Sequence, residues 1–433
     1  MQKFFWLVAA VLLYGCSGSN PIKTTLFDVP PYKRYVRSLE KADLDKTVMA
    51  QAWLAAGQRA LNDSVEVSLP FSESGYFKAT EPDARSYQFI AKEGQVLTVN
   101  GAVVSFQNAT FFLDLFSWEE DGWKELVHAD SSMTMSYEFE KDMTCLIRIQ
   151  PELLLDAYYT LSISATPVLI NPVAGADNKS IGSFYGASRD GGKRSHEGVD
   201  IFAKKGTPVI APTSGYISRV STNNLGGKVV WMQDKKRQHS YYFAHLDSQL
   251  VKPGATVKQG DTLGTVGNTG NARYTPSHLH FGIYRSKSKD PINYIRTLEA
   301  VTEALPWDTT FRQSDFKVVS KEVNFRAGPG EKHLVKTSLK KDTYVKVIAQ
   351  SNAWYRVALP DKSQGFLTKK SIAPIENGKR IKLKSPAVVR TGINDEAVPV
   401  AHLNKPTTIY LLAQFEGYQF IKTKEGLTGW LVL

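Results

Sequence analysis

The spacing of apolar residues changes along the 433-residue chain. From Ser38 to Leu61 the apolar positions fall on or near one helical face, which predicts a helix after a polar, proline-bearing tether in the segment 16–63. From 64 to 168 the pattern alternates, in runs such as Val65–Leu69, with glycine and aspartate between the runs. Several short strands with frequent turns predict a β-sandwich over 64–168.

The rest of the chain is also rich in short strands. Residues 172–298 combine many glycines with strand-like runs, and a short connector over 299–316 follows them. Beyond it the sequence repeats itself, because Trp354-Tyr355-Arg356-Val357 is echoed by Tyr418-Gln419-Phe420-Ile421. Two copies made of short strands, over 317–375 and 379–433, predict two small barrels in tandem.

The first residues are typical of an export signal. A short positive start is followed by an apolar run from Phe4 to Tyr14 that is too short to span a bilayer. The stretch Leu13-Tyr14-Gly15-Cys16 resembles the lipobox of bacterial lipoproteins. This resemblance implies that residues 1–15 are a signal peptide, that Cys16 carries lipid, and that the exported protein is anchored to a membrane on the periplasmic or cell-surface side. A plain secretory signal is the alternative.

Composition excludes some classes of protein. Two cysteines rule out a disulfide-rich scaffold and a cysteine zinc finger.

Lys and Arg number 53 against 42 Asp and Glu, a net charge of +11, and the whole excess of positive charge lies in residues 317–433. We expect this basic end to dock onto an anionic wall or membrane surface. An exported chain gives no reason to expect a nucleic-acid partner.

The histidines carry the candidate chemistry. In His278-Leu279-His280 the alternation with apolar residues predicts a strand, so both imidazoles lie on one face. They could share a metal ion, or one could bind it while the other transfers protons. His196 in a loop and Asp200 on a strand are expected to aim at the same point, and His245 follows another apolar strand. Two imidazoles and one carboxylate with an open position are the ligand set of a catalytic zinc site.

These motifs resemble a known family. The H-x-x-x-D motif, an aromatic-x-H-L segment and S-H-L-H-F-G are similar to those of the LytM-type or lysostaphin-type zinc peptidases, peptidase family M23. The resemblance implies an antiparallel-β peptidase domain over 172–298. Carried over residue by residue, it implies that His196, Asp200 and His280 bind Zn²⁺, and that His245 and His278 act on the substrate.

The same resemblance implies a function. Members of the family cut peptide cross-links of bacterial peptidoglycan, so peptidoglycan peptides are the expected substrate and the protein a zinc metalloendopeptidase. Some relatives have lost ligands and only activate other wall hydrolases. A non-catalytic wall scaffold or activator is therefore the alternative, and an extracellular peptidase acting on glycine-rich proteins is a third.

The C-terminal repeats resemble bacterial SH3-like domains. Asn324-Phe325-Arg326-Ala327-Gly328-Pro329-Gly330 matches their usual opening closely, whereas the second copy has Ile393 instead of proline after Gly392. Such domains hold cell-wall peptides or partner proteins, so wall enzymes are possible partners; alternatively, the copies only pack against the peptidase domain. The fold class is thus mainly β and multidomain: an N-terminal helix plus sandwich, a peptidase domain and two SH3-like barrels.

Three other residues that could carry chemistry are expected to have no functional role. Cys145 lies in an apolar run and is expected to be an inert core residue. His128 and His239 are expected at the surface, because neither has ligand-type neighbours in the sequence and His239 follows a run of basic residues.

Overall fold

The structure is a computed structural model of the whole chain. It describes residues 29–105, 108, 110–130, 132–298, 306, 315–394, 397–404 and 406–433. The predicted signal peptide, Cys16 and most of the predicted connector lie outside these residues. The described chain is mainly β and multidomain, as predicted. None of its helices combines the length and the apolar character needed to cross a membrane.

Two helices precede the first sheet, where the sequence predicts one. They are Pro31–Lys41 (α1) and Val48–Asn62 (α2). Pro31 suits the first turn of a helix, because its φ is fixed and its missing N–H is not needed there, so helix replaces part of the predicted tether. Asp43, with φ of 56°, lies in the turn that ends α1. Thr47 then caps α2 by accepting a hydrogen bond from Ala50 N.

An aromatic cluster holds the helices on the sandwich. Trp53 of α2 is almost fully buried, stacks on Tyr32 of α1 with ring centroids 5.0 Å apart, and meets Phe112 edge-on at 5.8 Å. Its indole N–H donates to Pro151 O at 2.7 Å, so the buried donor is satisfied. The two helices therefore belong to the sandwich rather than to a free tether.

Nine strands form the predicted sandwich. They are Val65–Glu66 (β1), Phe71–Phe77 (β2), Arg85–Ala91 (β3), Gln95–Ser105 (β4), Phe111–Glu119 (β5), Gly122–His128 (β6), Thr134–Glu138 (β7), Met143–Pro151 (β8) and Ala157–Pro167 (β9). One sheet has the order β1-β3-β8-β5-β6, and β2-β9-β4-β7 belong to a second sheet. Both sheets contribute fully buried side chains to one apolar core.

The middle of the chain forms mostly antiparallel sheets. Its strands are Ile181–Ser183 (β10), Ser188–Arg189 (β11), Arg194–Ser195 (β12), Val199–Phe202 (β13), Pro208–Ile210 (β14), Gly215–Asn223 (β15), Gly227–Asp234 (β16), His239–Leu246 (β17), Ser248–Gln249 (β18), Thr256–Val257 (β19), Thr262–Thr265 (β20), His278–Tyr284 (β21) and Ser288–Lys289 (β22). The main sheet runs β10-β13-β21-β17-β16-β15-β19, with β22 beside β21. A short helix, Ile292–Ile295 (α3), follows.

Two smaller sheets complete this region. β14-β20-β18 form one, and the hairpin β11-β12 forms the other. Single turns of 3-10 helix occur at Asn178–Ser180, Asp190–Gly192 and Gly270–Tyr274, and later in the chain at Lys369–Ser371. The hairpin and the turn at 270–274 flank the ends of β13, β17 and β21, where the candidate residues lie.

The first C-terminal repeat is fused to the sandwich, which the sequence does not predict. Its strands are Asp315–Val318 (β23), Glu322–Arg326 (β24), Val335–Lys340 (β25), Tyr344–Ser351 (β26), Trp354–Ala358 (β27), Gln364–Thr368 (β28) and Ile372–Pro374 (β29). β26 pairs with β2, Ser74 opposite Gln350, so the sheet continues as β25-β24-β28-β27-β26-β2-β9-β4-β7. Phe366 packs into the sandwich core.

The second repeat forms a six-stranded sheet. Its strands are Lys379–Lys382 (β30), Ala387–Arg390 (β31), Pro399–Leu403 (β32), Thr408–Phe415 (β33), Tyr418–Thr423 (β34) and Thr428–Val432 (β35), in the order β30-β33-β34-β35-β31-β32. The rings of Phe420 and Trp430 lie 5.0 and 5.2 Å from that of Tyr344, so the two repeats share an apolar contact. The predicted limits of the domains stay a prediction.

Candidate active site

Two neighbouring strands bring the central residues together. β13 and β21 are antiparallel, and their register places Asp200 directly opposite His280. Their apolar neighbours are fully buried in the core: Val199, Ile201, Leu279 and Phe281. Because side chains alternate along a strand, Asp200, His278 and His280 face the opposite side of the sheet. The hairpin β11-β12 ends at Ser195 and brings the next residue, His196, to the same point.

Three potential ligand atoms converge there. His196 Nε2 lies 3.0 Å from Asp200 Oδ1 and 2.9 Å from His280 Nδ1. His280 Nδ1 lies 3.1 Å from the same carboxylate oxygen. Among the described residues, this trio is a group of side chains that could hold a metal ion, with its ligand atoms within 4.8 Å of one another.

The chemistry of this donor set fits zinc. His196 Nδ1 donates to Phe184 O at 2.9 Å, so in the neutral ring the lone pair lies on Nε2, which can coordinate. Burial favours the neutral acid of Asp200, but the adjacent imidazoles of His196 and His280 outweigh it and hold the pKa of Asp200 far below its ordinary value. Two imidazoles and a carboxylate are a ligand set of catalytic zinc, and three ligands leave a coordination position open.

Glycine lets the two strands approach this closely. A Cβ atom at Gly198 would lie 2.4 Å from Phe281 O and 2.9 Å from His280 Nε2. Both distances are shorter than van der Waals contact allows, so a larger residue would push His196 and Asp200 away from His280. The close packing of this segment against β21 therefore requires glycine in the H-x-G-x-D stretch.

Arg189 fixes the carboxylate from behind. Its guanidinium Nη2 donates to Asp200 Oδ2 at 2.8 Å and to Ser183 Oγ at 2.6 Å. Oδ2 is thereby occupied, and Oδ1 is the oxygen that faces the two imidazoles. Because Arg189 stands on β11, paired with the strand that leads into His196, one hairpin positions two of the three potential ligands.

His245 and His278 lie beside the trio with matching orientations. His278 Nδ1 donates to Pro276 O at 2.8 Å, and His245 Nδ1 donates to Thr269 O at 2.9 Å. In the neutral ring each bond places the proton on Nδ1 and the lone pair on Nε2. His278 Nε2 lies 3.9 Å from Asp200 Oδ1, and the two histidine rings have centroids 5.0 Å apart.

The backbone at His245 is unusual. Its φ is 63°, in the left-handed region that non-glycine residues rarely adopt, and the register of β17 with β16 is irregular between Phe243 and Leu246, around this residue. The backbone N–H of His245 donates to Gly226 O at 2.7 Å, which holds this conformation. Strain of this kind costs on the order of 1–3 kcal/mol and occurs where a side chain must be aimed.

Burial sets the protonation state of His245. Desolvation, followed by the nearby His278, lowers the pKa of His245 to about 4. At neutral pH the ring is therefore uncharged, and its Nε2 can accept a proton. Burial also lowers the pKa of His280, which keeps that ring neutral as a ligand must be.

The structure thus brings all five predicted site residues into one cluster; their roles stay a prediction. Cys145 is fully buried, burial raises the pKa of its thiol to about 12, and its predicted core position is confirmed. The surface positions expected for His128 and His239 are wrong. His128 is buried beside Glu125, and His239 packs edge-on against Tyr294, because each starts or ends a strand that folds it inward.

The roles of two residues near the cluster are missed by sequence reasoning. Arg189 belongs to the stretch upstream of His196 that resembles the M23 family, but no role follows from that resemblance, because its contact with Asp200 arises from the hairpin. Glu197 follows His196 directly and is exposed beside the site. Neither stands at a spacing that signals a contact, although a charged residue beside a predicted ligand could have prompted the question.

Comparisons with known proteins match two parts of the chain. The model of peptidase family M23 matches residues 194–294, and the model of the bacterial SH3 domain matches residues 319–374. An L-Ala--D-Glu endopeptidase of Bacillus subtilis is 35% identical over 130 residues, 27% of this chain and 40% of that protein. The murein hydrolase activator NlpD of Salmonella dublin is 34% identical over 121 residues, 28% of this chain and 30% of its own. The chain thus spans less than half of these relatives.

Solved structures are also similar to part of the chain. The catalytic domain of the antimicrobial peptidase lysostaphin from Staphylococcus simulans is 35% identical. The match covers 26% of this chain and 87% of that one, with a TM-score of 0.24.

Proposed function

Residues 194–294 form a domain of peptidase family M23, and from this we propose that the protein is a zinc-dependent endopeptidase that hydrolyses peptide cross-links of bacterial peptidoglycan. The observation that carries the proposal is the cluster of five side chains. Three of them present potential ligand atoms within 4.8 Å of one another, and two more lie beside them with Nδ1 bonded to a backbone carbonyl.

The side chains divide the work by position. His196, Asp200 and His280 would hold a zinc ion, which when bound supplies Lewis acidity that makes water a nucleophile at neutral pH. His245 and His278 lie outside this trio, and each can accept a proton at Nε2 because its Nδ1–H is committed to a backbone carbonyl. A protonated ring can then pass the proton to the leaving amine or donate to the developing oxyanion.

Substitution of His245 tests the enzymatic role. We expect His245→Ala to bind zinc as the wild type does but to cleave cross-linked muropeptides about 10²- to 10⁴-fold more slowly, because an imidazole that handles a proton is lost. The exposed His402 offers the matched control, His402→Ala. Products are measured by mass spectrometry of digested muropeptides, and zinc by elemental analysis.

Removal of zinc is the complementary test. A chelator should abolish cleavage, and added zinc should restore it without refolding. If the zinc-loaded wild type cuts neither cell wall nor muropeptides, the enzyme proposal fails.

An activator of other wall hydrolases is the second candidate. The similarity to the activator NlpD favours it, because that relative is 34% identical over 121 residues of this chain. An activator has no need for an intact open site, so it would stimulate a purified wall hydrolase equally well after chelation. Cleavage by the chain alone, dependent on zinc, argues for the enzyme.

We also propose that the protein is exported and held on a membrane by lipid at Cys16. The proposal rests on the resemblance of Leu13–Cys16 to a lipobox. Cys16→Ser should release the protein from the membrane fraction of the producing cell, because the acyl groups provide the anchor. Unchanged partitioning after this substitution would contradict the anchor without bearing on catalysis.

A further inference from the structure

A row of aromatic rings extends from the candidate active site along the same face of the sheet. Trp231 of β16 is opposite Tyr242 of β17, and Tyr242 is opposite Gly282 of β21. The rings of Trp231 and Tyr242 have centroids 4.5 Å apart, and the ring of Tyr242 lies edge-on to His280 at 5.8 Å. The row therefore begins at one of the potential zinc ligands.

Tyr284 closes the row. It lies four residues beyond His280 on β21 and hence on the same face, with its ring centroid 5.4 Å from that of Trp231. Gly282 makes room for it, because a Cβ atom at that position would lie 2.9 Å from the Tyr284 ring. Trp231, Tyr242 and Tyr284 are all half-buried, so each ring keeps part of its surface accessible to a bound molecule.

A carboxylate stands at the end of this row. Glu197 is exposed, directly follows His196, and its Oε2 accepts a hydrogen bond from Tyr284 Oη at 3.4 Å. Burial, followed by the charge of Glu197, raises the pKa of Tyr284 above its ordinary value, so the hydroxyl remains a donor. In the described part of the chain no lysine or arginine forms an ion pair with Glu197.

These features suit a cation. Aromatic faces attract ammonium groups through their quadrupole, and the attraction is stronger where water is partly excluded. A carboxylate beside the rings adds a charge-assisted hydrogen bond. An uncharged apolar group would gain nothing from Glu197, and an anionic group would be repelled by it.

We propose that Glu197 and the row of Trp231, Tyr242 and Tyr284 form a subsite that accepts a primary ammonium group of the substrate, close to the bond that is cut. The inference rests on the proposed endopeptidase function and narrows its substrates to peptides that carry a free amine near the scissile bond. A diamino acid with one unlinked amino group has this chemistry.

A pair of matched substrates tests the subsite. The two peptides differ only in one amino group near the scissile bond, which is free in one and acetylated in the other. We expect wild-type zinc-loaded protein to cleave the free-amine peptide with the higher kcat/KM, and Glu197→Gln to lower the ratio of the two kcat/KM values about tenfold. Glu120→Gln, at an exposed turn of the sandwich, is the matched control and should keep the ratio.

The ratio of the two kcat/KM values distinguishes loss of the ammonium subsite from damage to the metal site. Loss of zinc or a displaced His196 would slow cleavage of both peptides equally and leave the ratio unchanged. An unchanged ratio in Glu197→Gln with intact zinc binding would overturn the subsite.

Peptide binding tests the ammonium subsite even if the protein cleaves neither peptide. If wild type cuts neither peptide, the proposed function fails, but affinity can still be measured by calorimetry. The subsite then requires that wild type binds the free-amine peptide more tightly than the acetylated one, and that Glu197→Gln removes this difference. Equal affinities in wild type would overturn it.

Discussion

At the scale of single residues, Arg189 illustrates how a side chain outside the ligand trio can govern metal binding. It occupies Asp200 Oδ2 and leaves Oδ1 to face the imidazoles. We expect Arg189→Met to weaken zinc binding about 10- to 100-fold, because a carboxylate that has lost its outer partner can rotate away from the ligand geometry. The measurement is competition with a chelator of known affinity.

The control for this prediction is another arginine close to the site. Arg273 lies over the ring of Tyr274 at 5.5 Å instead of on a ligand, so Arg273→Met should bind zinc as the wild type does. Zinc affinity in Arg189→Met that equals or exceeds that of the wild type would show that the ion pair has no positioning role.

The candidate site could be predicted from the sequence to the extent that it rests on strand periodicity. His278 and His280 share a face because they are two apart on a strand, and the same alternation turns Asp200 toward them. The contact of Glu197 with Tyr284 could not be predicted, because the two residues stand 87 positions apart and meet only through the register of β13 against β21. Chemistry within one strand can be deduced from spacing, whereas chemistry between strands requires the register.

At the scale of elements, the approach of β13 to β21 depends on the glycine between His196 and Asp200. Gly198→Ala places a Cβ atom 2.4 Å from Phe281 O, so the segment or the strand must shift. We expect the free energy of unfolding to fall by about 1–3 kcal/mol, and zinc affinity to fall with it. Denaturant titration and chelator competition measure the two effects.

A matched glycine isolates the steric cause. At Gly392 the nearest atom to an added Cβ would be Ala397 Cβ at 3.4 Å, which is an ordinary contact. Gly392→Ala should therefore change stability much less. Similar losses from both substitutions would mean that the approach of the two strands is not the reason for Gly198.

The elements themselves were predictable in part. Alternation of apolar residues indicates the sandwich and the strands that carry the histidines, because one face of each sheet is buried. The division of the N-terminal helical segment was not predictable from spacing, since apolar residues keep their helical positions on both sides of the turn at Asp43. The pairing of β2 with β26 could not be predicted either, because the sequence of a strand does not indicate which other strand it pairs with.

At the scale of the whole molecule, a buried ion pair ties the first SH3-like repeat to the sandwich. Arg356 and Glu73 are both fully buried, with Nη1 and Oε1 3.6 Å apart. Glu73 Oε1 also accepts hydrogen bonds from Tyr87 and Tyr159, each at 2.6 Å. The first repeat and the sandwich therefore share a buried polar contact, whereas the sequence repeats predict a separate barrel.

Breaking this pair should destabilise both parts together. We expect Arg356→Met to lower the free energy of unfolding by about 3–5 kcal/mol, because Glu73 stays buried after losing its ion-pair partner, while the other nearby buried arginine, Arg85, is paired with Asp83. Loss of protection in hydrogen exchange should appear in β2 and β9 of the sandwich as well as in β26 and β27. The exposed Arg380 gives the control Arg380→Met, expected within about 0.5 kcal/mol of wild type. Loss of protection confined to the repeat would contradict a shared unit.

This fusion changes how the basic C-terminal part can be tested. Deletion of residues 317–433 would uncover Glu73 and part of the sandwich core, so charges must be neutralised instead. Four exposed cations lie on or just after the edge strand β30: Lys379, Arg380, Lys382 and Lys384. Changing all four to glutamine should weaken binding to isolated cell wall or to anionic vesicles about tenfold or more at low salt, because each cation near an anionic surface contributes on the order of 1 kcal/mol.

Salt and a second set of substitutions separate this electrostatic docking from other causes. Exposed charges are screened within about 10 Å at 0.1 M salt, so the difference between wild type and the neutralised variant should shrink as salt rises. The control neutralises four exposed lysines of the sandwich and peptidase regions: Lys141, Lys252, Lys258 and Lys287. The first 316 residues carry no net charge. If this control weakens binding to the wall or vesicles as much as the β30 variant does, binding depends on the total charge of the protein and not on the cations at β30.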